Sequence, residues 1–296
     1  MSIINRPMKG VECGSNLQDL RYPFIMQPKY DGIRVIFEGG VALSASLKPL
    51  RNRALQKLAR ELPDGLECEY YIPPDEGGIR ACASTCNSAT DSLPDCGRLY
   101  AFDIRHYSLP YMHRLDEVKS CVNQLGDKID ILRAAPSKIV VNSHEVSAML
   151  TQLLDAGFEG GMLKDPDALY KCGRSTLKSQ ECLKLKPFVD DEAVILSWKA
   201  EQENLNEPTV NELGTTSRSS SQLGKRDKPL IGALHVRSPK FSQSFWVSGF
   251  TRDLKERLWV ERDRLVGQVI TYKYQPCLAY DRPRHPIFLR FRPMQS

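Results

Sequence analysis

The chain has 296 residues, 41% hydrophobic and 26% charged, which is the balance of an ordinary globular protein long enough for two domains. Its net charge of +5, from 41 Lys and Arg against 36 Asp and Glu, is too small to diagnose a polyanionic partner, so the placement of charge must decide that question. Its longest apolar runs, such as EAVILSW (192–198), are strand-sized and exclude a membrane-spanning helix. The first thirteen residues lack the apolar stretch of a secretory signal. The nine cysteines are therefore expected to be cytoplasmic thiols, not a disulfide framework.

In chain order, the first strand expected is 24–28, ending in the turn Asp31-Gly32 with Lys29 just before it. A turn that merely contains a lysine reads the same way. A lysine crowded by other cations can also lose its proton near neutral pH and act as a nucleophile, and these residues alone do not separate the two readings. A strand at 33–37 follows. Asn52 is placed to cap a helix that carries Leu55, Leu58 and Leu62 on one face. In the strand 66–71, Glu67 and Glu69 share a side, because side chains in a strand repeat every two residues. Cys82, Cys86 and Cys96 lie close together without a CxxC pair, which favours scattered thiols over a zinc site. The strand 98–104 carries Phe102 and Asp103 near its end.

A strand at 138–142 leads to a helix capped by Ser143, with Val146, Met149, Leu150, Leu153 and Leu154 at helical spacing and Gly157 past its end. Glu159 opens the strand 160–164, and a basic run follows through Lys164, Lys171, Arg174 and Lys178. In the strand 181–186, Lys184 and Lys186 project from one face and Leu183 and Leu185 from the other, a pattern shared with half-buried surface strands. The whole is α+β, without the regular beat of a doubly wound sheet.

After about Pro187 the texture changes. Strands at 192–198, 231–237, 243–249, 268–274 and 286–292, with one helix at 254–265, suit a small, partly open barrel of the OB type. The polar segment 199–229 has no clear period and reads as a long functional or disordered loop. Positive charge gathers at 217–229 and at 280–293.

Taken together, these stretches supply one lysine nucleophile, several cations for a triphosphate, carboxylates for divalent metal and ribose, and a flat ring for a base. Their order carries a resemblance. K-x-D-G at 29–32, the acidic strand at 67–69, A-F-D at 101–103, E-G-G-M at 159–162 and L-K-L-K at 183–186 resemble the lysine nucleotidyltransferases. Within that superfamily YKCGRSTLK (170–178) and RHPIFLRFR (284–292) are most similar to ATP-dependent DNA ligases of the minimal viral type. The resemblance covers essentially the whole chain.

It implies a nucleotidyltransferase (ligase adenylation, ATP-grasp-like) domain over 1–187 and an OB-fold β-barrel over 188–296, with a long inserted latch loop at 199–229 that clamps DNA. It implies that Lys29 is the adenylated nucleophile and that Asp31, Arg34 and Glu69 line the ribose and phosphate pocket. Phe102 and Met162 would flank the adenine. Glu159 would support metal or nucleotide, Lys184 and Lys186 would hold phosphate, and Arg174 would help with the nucleotide or the nick phosphate. Asp281 and Arg284 would swing over ATP in the first step, and Arg218, Lys225, Arg226 and Lys228 of the latch would contact DNA phosphates. The implied ligands are ATP and Mg²⁺, the implied partner is nicked duplex DNA, and a cytoplasmic monomer with no membrane partner is expected. An RNA ligase or a capping guanylyltransferase would share the same nucleophile, and a non-catalytic OB-type nucleic-acid-binding protein is the reading from another class. Two departures stand out. The family's acidic motif reads D-G-E where this chain has Glu67-Cys68-Glu69, so Glu69 is the better match. Ala45 stands where the family has the arginine associated with the nick 5′-phosphate, leaving Lys48, Arg51 and Arg53 as candidate substitutes.

Overall fold

The computed structural model describes residues 6–14, 16–276 and 281–292; the first five residues and both ends of the basic stretch 280–293 lie outside the described residues. The chain divides into two compact units, residues 1–186 and 187–296.

In the first unit, strands β1 (Val11–Glu12), β2 (Phe24–Lys29), β3 (Ile33–Glu38), β4 (Val41–Ser44), β5 (Leu66–Tyr71) and β6 (Arg98–Ile104) are followed by β7 (Leu132–Ala134), β8 (Lys138–Val140), β9 (Gly160–Lys164) and β10 (Cys182–Leu185). Helices α1 (Arg53–Leu58), α2 (Gly78–Asn87), α3 (Tyr111–Leu125) and α4 (Ser143–Asp155) join them. The strands form two five-stranded sheets, in the orders β1-β10-β9-β2-β8 and β4-β3-β5-β6-β7.

Period-two alternation decides what each sheet does with its two faces. In the second sheet Val35, Phe37, Leu66, Cys68, Leu99 and Ala101 pack with Leu55, Cys82, Cys86 and Val118 of the helices into one core. In the first, Phe24, Met26, Leu163, Leu183 and Leu185 pack with Val146 and Leu153 of α4 into another. The alternate positions, among them Gln27, Lys29, Arg34, Glu67, Glu69, Phe102, Met162, Lys164 and Lys184, line a cavity. Cys82 and Cys86 are one helical turn apart on the buried face of α2, where they serve as small apolar core residues.

Helix starts follow local hydrogen bonding. The Asn52 side chain accepts from the Leu55 amide at 3.1 Å, as its position predicts. The fourth helix is capped one residue earlier than expected: the Asn142 side chain accepts from the Glu145 amide at 2.9 Å, which leaves Ser143 as the first helical residue.

The second unit holds β11 (Val189–Asn204), β12 (Pro208–Val210), β13 (Thr216–Arg218), β14 (Lys225–Arg237), β15 (Phe245–Val247), β16 (Val269–Gln275) and β17 (Arg284–Phe291), with α5 (Arg252–Val260) between β15 and β16 in the chain. Five of the strands form one sheet in the order β15-β14-β11-β16-β17. It curls around a core of Ile195, Leu234, Val236, Val247, Leu258, Ile270 and Tyr272 without closing, and its edges meet at one bridge, Ser248 to Ile287. The segment expected to be a loop is a β-ribbon. Strands β11 and β14 run on until Asn204 faces Lys225, and the small β12–β13 hairpin lies beyond. The ribbon is polar along its length, so it carries no apolar alternation from which a strand could be read.

The glycine of K-x-D-G is fixed by space. A Cβ on Gly32 would fall on the Tyr70 carbonyl oxygen and 2.9 Å from Glu69 Cγ. Gly32→Ala is expected to lower stability by about 1–3 kcal/mol, the usual range for forced overpacking, as read from the urea unfolding midpoint. An unchanged midpoint would show that the loop relaxes freely.

Candidate active site

A cavity of about 250 Å³ opens in the first unit, lined by the inward positions of both sheets and by the N-terminal segment Met8–Gly10. Its innermost charges are paired. Asp103, on β6, is only 1% exposed; it accepts from Arg114 Nε of α3 at 2.8 Å and from Lys164 Nζ of β9 at 3.0 Å. Burial alone would raise the Asp103 carboxyl, but Lys164 and Arg114 hold it below its ordinary value. Glu67, fully buried, pairs with Arg34 and accepts from the Tyr170 hydroxyl at 2.6 Å. Arg34 also donates to the Met8 carbonyl at 2.6 Å, which fixes the N-terminal segment as one wall.

Phe102 lies 5.3 Å from the Arg34 guanidinium and 4.9 Å from Lys164 Nζ, ring centre to charge. Tyr111 Oη is within hydrogen-bond distance of both Gln27 Oε1 (2.9 Å) and the Phe102 carbonyl (3.0 Å). Gln27 Nε2 is buried with no hydrogen-bond partner among the described residues.

Lys29 ends β2 and forms an ion pair with Glu159, whose other carboxylate oxygen takes Lys186 at 2.5 Å. Burial would raise Glu159, but the charge of Lys29 and the bonds from Lys186 and Lys29 hold it below its ordinary value. The neighbour that touches Lys29 is thus a carboxylate, not one of the cations that the sequence places around it. E-G-G-M is tight by necessity: Gly160 sits at φ 148°, and a Cβ there would fall on the Leu185 carbonyl oxygen. Burial together with the like charges of Lys186, Lys29 and Arg174 pushes the Lys184 ammonium below its ordinary value, against a smaller opposing effect of Glu12.

Of the residues singled out from sequence, Lys29, Arg34, Glu69, Phe102, Met162, Arg174 and Lys184 line this one cavity. Glu159 and Lys186 adjoin it through Lys29. Asp31, in the turn after β2, is not a lining residue but is close enough to act on the Glu69 carboxyl. Asp281 and Arg284 belong to the second unit, where Asp281 accepts a hydrogen bond from Ser242 and Arg284 opens β17 opposite Gln275. Lys48, Arg51 and Arg53 do not line the cavity, and Arg53 pairs instead with Asp91 at 3.3 Å. In the ribbon, Arg226 and Lys228 share Glu203, at 3.3 and 3.5 Å, Arg218 donates to the Asn206 carbonyl, and Lys225 opens β14 opposite Asn204. Gln27, Glu67, Asp103 and Lys164 also line the cavity, although the resemblance assigns them no role. Gln27, Glu67 and Lys164 fall on inward positions of their strands, whereas Asp103 shares the parity of the core residues Leu99 and Ala101 and is turned inward at the register shift opposite Glu67. Among the described residues no group of three or more acidic, His or Cys side chains is disposed to hold a metal by itself.

The fold is therefore that of a two-unit α+β nucleotidyltransferase with an OB domain, the architecture of the minimal ATP-dependent ligases. Residues 224–292 match the DNA ligase OB-like domain family. Over 99% of this chain and 100% of the other, the structure is similar to chlorella virus DNA ligase-adenylate, at 25% identity and a TM-score of 0.57. A Lig E DNA ligase structure aligns over 98% of this chain and all of its own, at 21% identity and a TM-score of 0.72. The ATP-dependent DNA ligase of bacteriophage T7, in complex with ATP, aligns over 99% of this chain at 16% identity and a TM-score of 0.51. No curated protein matches the sequence. The resemblance to the minimal viral ligases read from the motifs thus extends to the three-dimensional structure.

Glu69 offers a direct test of the electrostatics. Its enclosure, with further repulsion from Glu159 and Asp31, pushes its carboxyl up to about 7, although Lys29 and Arg34 act the other way. Between its unfolded value near 4.5 and about 7 the folded state holds the extra proton, so this residue's contribution to stability falls as pH rises through that window. Glu69→Gln is expected to remove the fall and to gain roughly 2 kcal/mol on the wild type at pH 8. Urea unfolding of both proteins from pH 4.5 to 8 measures it; parallel curves would show that Glu69 titrates normally.

Proposed function

We propose that this protein is an ATP-dependent DNA ligase that seals nicks bearing a 3′-hydroxyl and a 5′-phosphate, through lysyl-adenylate and DNA-adenylate intermediates. The observation that carries this reading is the cavity itself, which gathers the motif residues and sets six cationic side chains against three carboxylates. Arg34 is spent on Glu67 and Lys164 on Asp103. The cations left over are suited to a polyphosphate, with Lys29 beside them. Phe102 and Met162 offer apolar walls for a base, and Gln27 an amide to read its edge.

In the first step Lys29 Nζ, as the free amine, attacks the α-phosphorus of ATP; a P–N bond forms and pyrophosphate leaves. AMP then passes to the 5′-phosphate at the nick, and the adjacent 3′-hydroxyl displaces it. Lys184, Arg174 and Lys186 offset the charge of the phosphates, and release of Lys186 or Lys29 from Glu159 accompanies their arrival. Glu159, the carboxylate its motif assigns to metal, would supply one ligand to Mg²⁺, whose shell phosphate and water would complete. When bound, the ion offsets charge on the phosphates. Asp281 and Arg284 of the second unit are assigned to the first step by the motif they share with the ligases, and Lys48, Arg51 and Arg53 to the DNA.

Incubation with α-labelled ATP and Mg²⁺, followed by denaturing electrophoresis, is expected to show a covalently labelled protein, and γ-labelled ATP none. Lys29→Ala should reduce the label at least a thousandfold. Labelling of that variant, or a preference for GTP, would overturn the assignment.

The ribbon supplies a second test. Because Asn204 and Lys225 face each other in register, residues 205–224 can be replaced by a two-residue turn without cutting the sheet. Such a protein should label with ATP normally and bind nicked duplex at least tenfold more weakly, with a shallower salt dependence in a mobility-shift titration. Unchanged binding would remove the tip of the ribbon, with Arg218, from the DNA interface.

A further inference from the structure

Lys9 belongs to none of the motifs, yet it lines the same cavity. The segment that carries it is hydrogen-bonded along the loop after β9. The Met8 amide donates to the Tyr170 hydroxyl at 2.9 Å, the Lys9 amide donates to the Gly173 carbonyl at 2.7 Å, and the Ser175 amide donates to the Lys9 carbonyl at 2.8 Å. The last two bonds make a parallel bridge that sets Lys9 directly beside Arg174. Gly10 then lies so close to β10 that a Cβ there would come within 2.9 Å of Lys184 Cγ. Backbone hydrogen bonding thus places Lys9 next to Arg174 and one residue from contact with Lys184.

None of these three cations has an ion-pair or hydrogen-bond partner for its side chain among the described residues. Glu12 faces Lys184 in register without forming an ion pair. Lys29 and Lys186, by contrast, share Glu159. Three like charges held together by a fixed backbone repel one another unless an anion joins them.

We propose that Lys9, with Arg174 and Lys184, forms a subsite for a phosphate group beyond the adenylate. The chemistry fits either the β- and γ-phosphates of ATP or the 5′-phosphate of a nick, and the two are separable. The subsite rests on the nucleotidyl-transfer reading for its physiological ligand, but not for its existence, because a free polyphosphate probes it directly.

The test compares wild type, Lys9→Ala and Lys9→Arg, with thermal melting as the control for folding. Calorimetric titration with inorganic tripolyphosphate should show about tenfold weaker binding to Lys9→Ala, with most of the loss restored by Lys9→Arg. Equal binding by all three proteins overturns the subsite, whether or not the protein proves to be a ligase. Two kinetic arms then assign the phosphate. A tenfold rise in the ATP concentration needed for self-labelling, with a matching loss of reversal by pyrophosphate, assigns it to the triphosphate. A tenfold slower transfer of AMP from pre-labelled protein to a nicked duplex assigns it to the 5′-phosphate. Rates within twofold of wild type in both arms would overturn the catalytic use of the subsite. Failure of the wild type to label would instead defeat the ligase reading and leave the tripolyphosphate result standing.

Discussion

The architecture of the first unit depends on satisfying carboxylates that are buried where its two sheets face each other. Asp103 and Glu67 are each about as enclosed as any core residue, and a buried carboxylate without a partner would cost several kcal/mol. Each is satisfied by groups from other elements: Asp103 by Lys164 of β9 and Arg114 of α3, Glu67 by Arg34 of β3 and Tyr170 of the loop after β9. Hydrophobic burial joins the two sheets here only through a small cluster of Ile25 with Tyr111 and Leu115 of α3, because each sheet spends one apolar face on its own helices. The polar links across the gap are specified in position and intolerant of losing one member.

This arrangement separates two kinds of charge that look alike in a sequence. Arg34 and Lys164 complete the scaffold, whereas Lys184, Arg174 and Lys9 have no carboxylate to complete among the described residues. Glu159 stands between the two kinds, bound to Lys29 on one oxygen and to Lys186 on the other. It holds the proposed nucleophile in place through an interaction that an incoming phosphate can replace. The glycines serve the same end. Gly32 and Gly160 let the backbone on either side of Lys29 and Glu159 pack against Tyr70 and Leu185, so that a lysine and a glutamate 130 residues apart meet.

Much of this is legible in the sequence because strands alternate. The spacing of Glu67 and Glu69, and of Lys184 and Lys186, is enough by itself to place each pair on one face. The same rule applied to β2 and β9 adds Gln27 and Lys164 to the site, although no motif marks either of them. Helix α3 is hard to read for a different reason. Its inward face carries Arg114 between Tyr111 and Leu115, and a buried arginine breaks the apolar period by which helices are recognised. In α2 the buried face is built from glycine and cysteines, which carry little hydrophobic signal and read more readily as metal ligands. Lys9 lies beyond sequence reasoning altogether, because its position depends on a bridge to Arg174, 165 residues away.

The ribbon shows how a structural pairing changes the meaning of a basic stretch. Read as a loop, 217–229 offers free cations to a phosphate backbone. Folded, Arg226 and Lys228 lie against Glu203, and Arg218 is turned onto the backbone of Asn206. Ion pairs with that much solvent exposure contribute between nothing and about 1 kcal/mol each, so they do not prevent a stronger anion from taking their place. On the ligase reading, engagement of DNA by the ribbon is therefore an exchange, in which phosphates replace Glu203, and not an addition of contacts to free side chains. The gain per phosphate is smaller than the count of lysines and arginines implies. The same pairing keeps the ribbon in register while no nucleic acid is bound, since a strand pair that is polar on both faces has little else to hold its register.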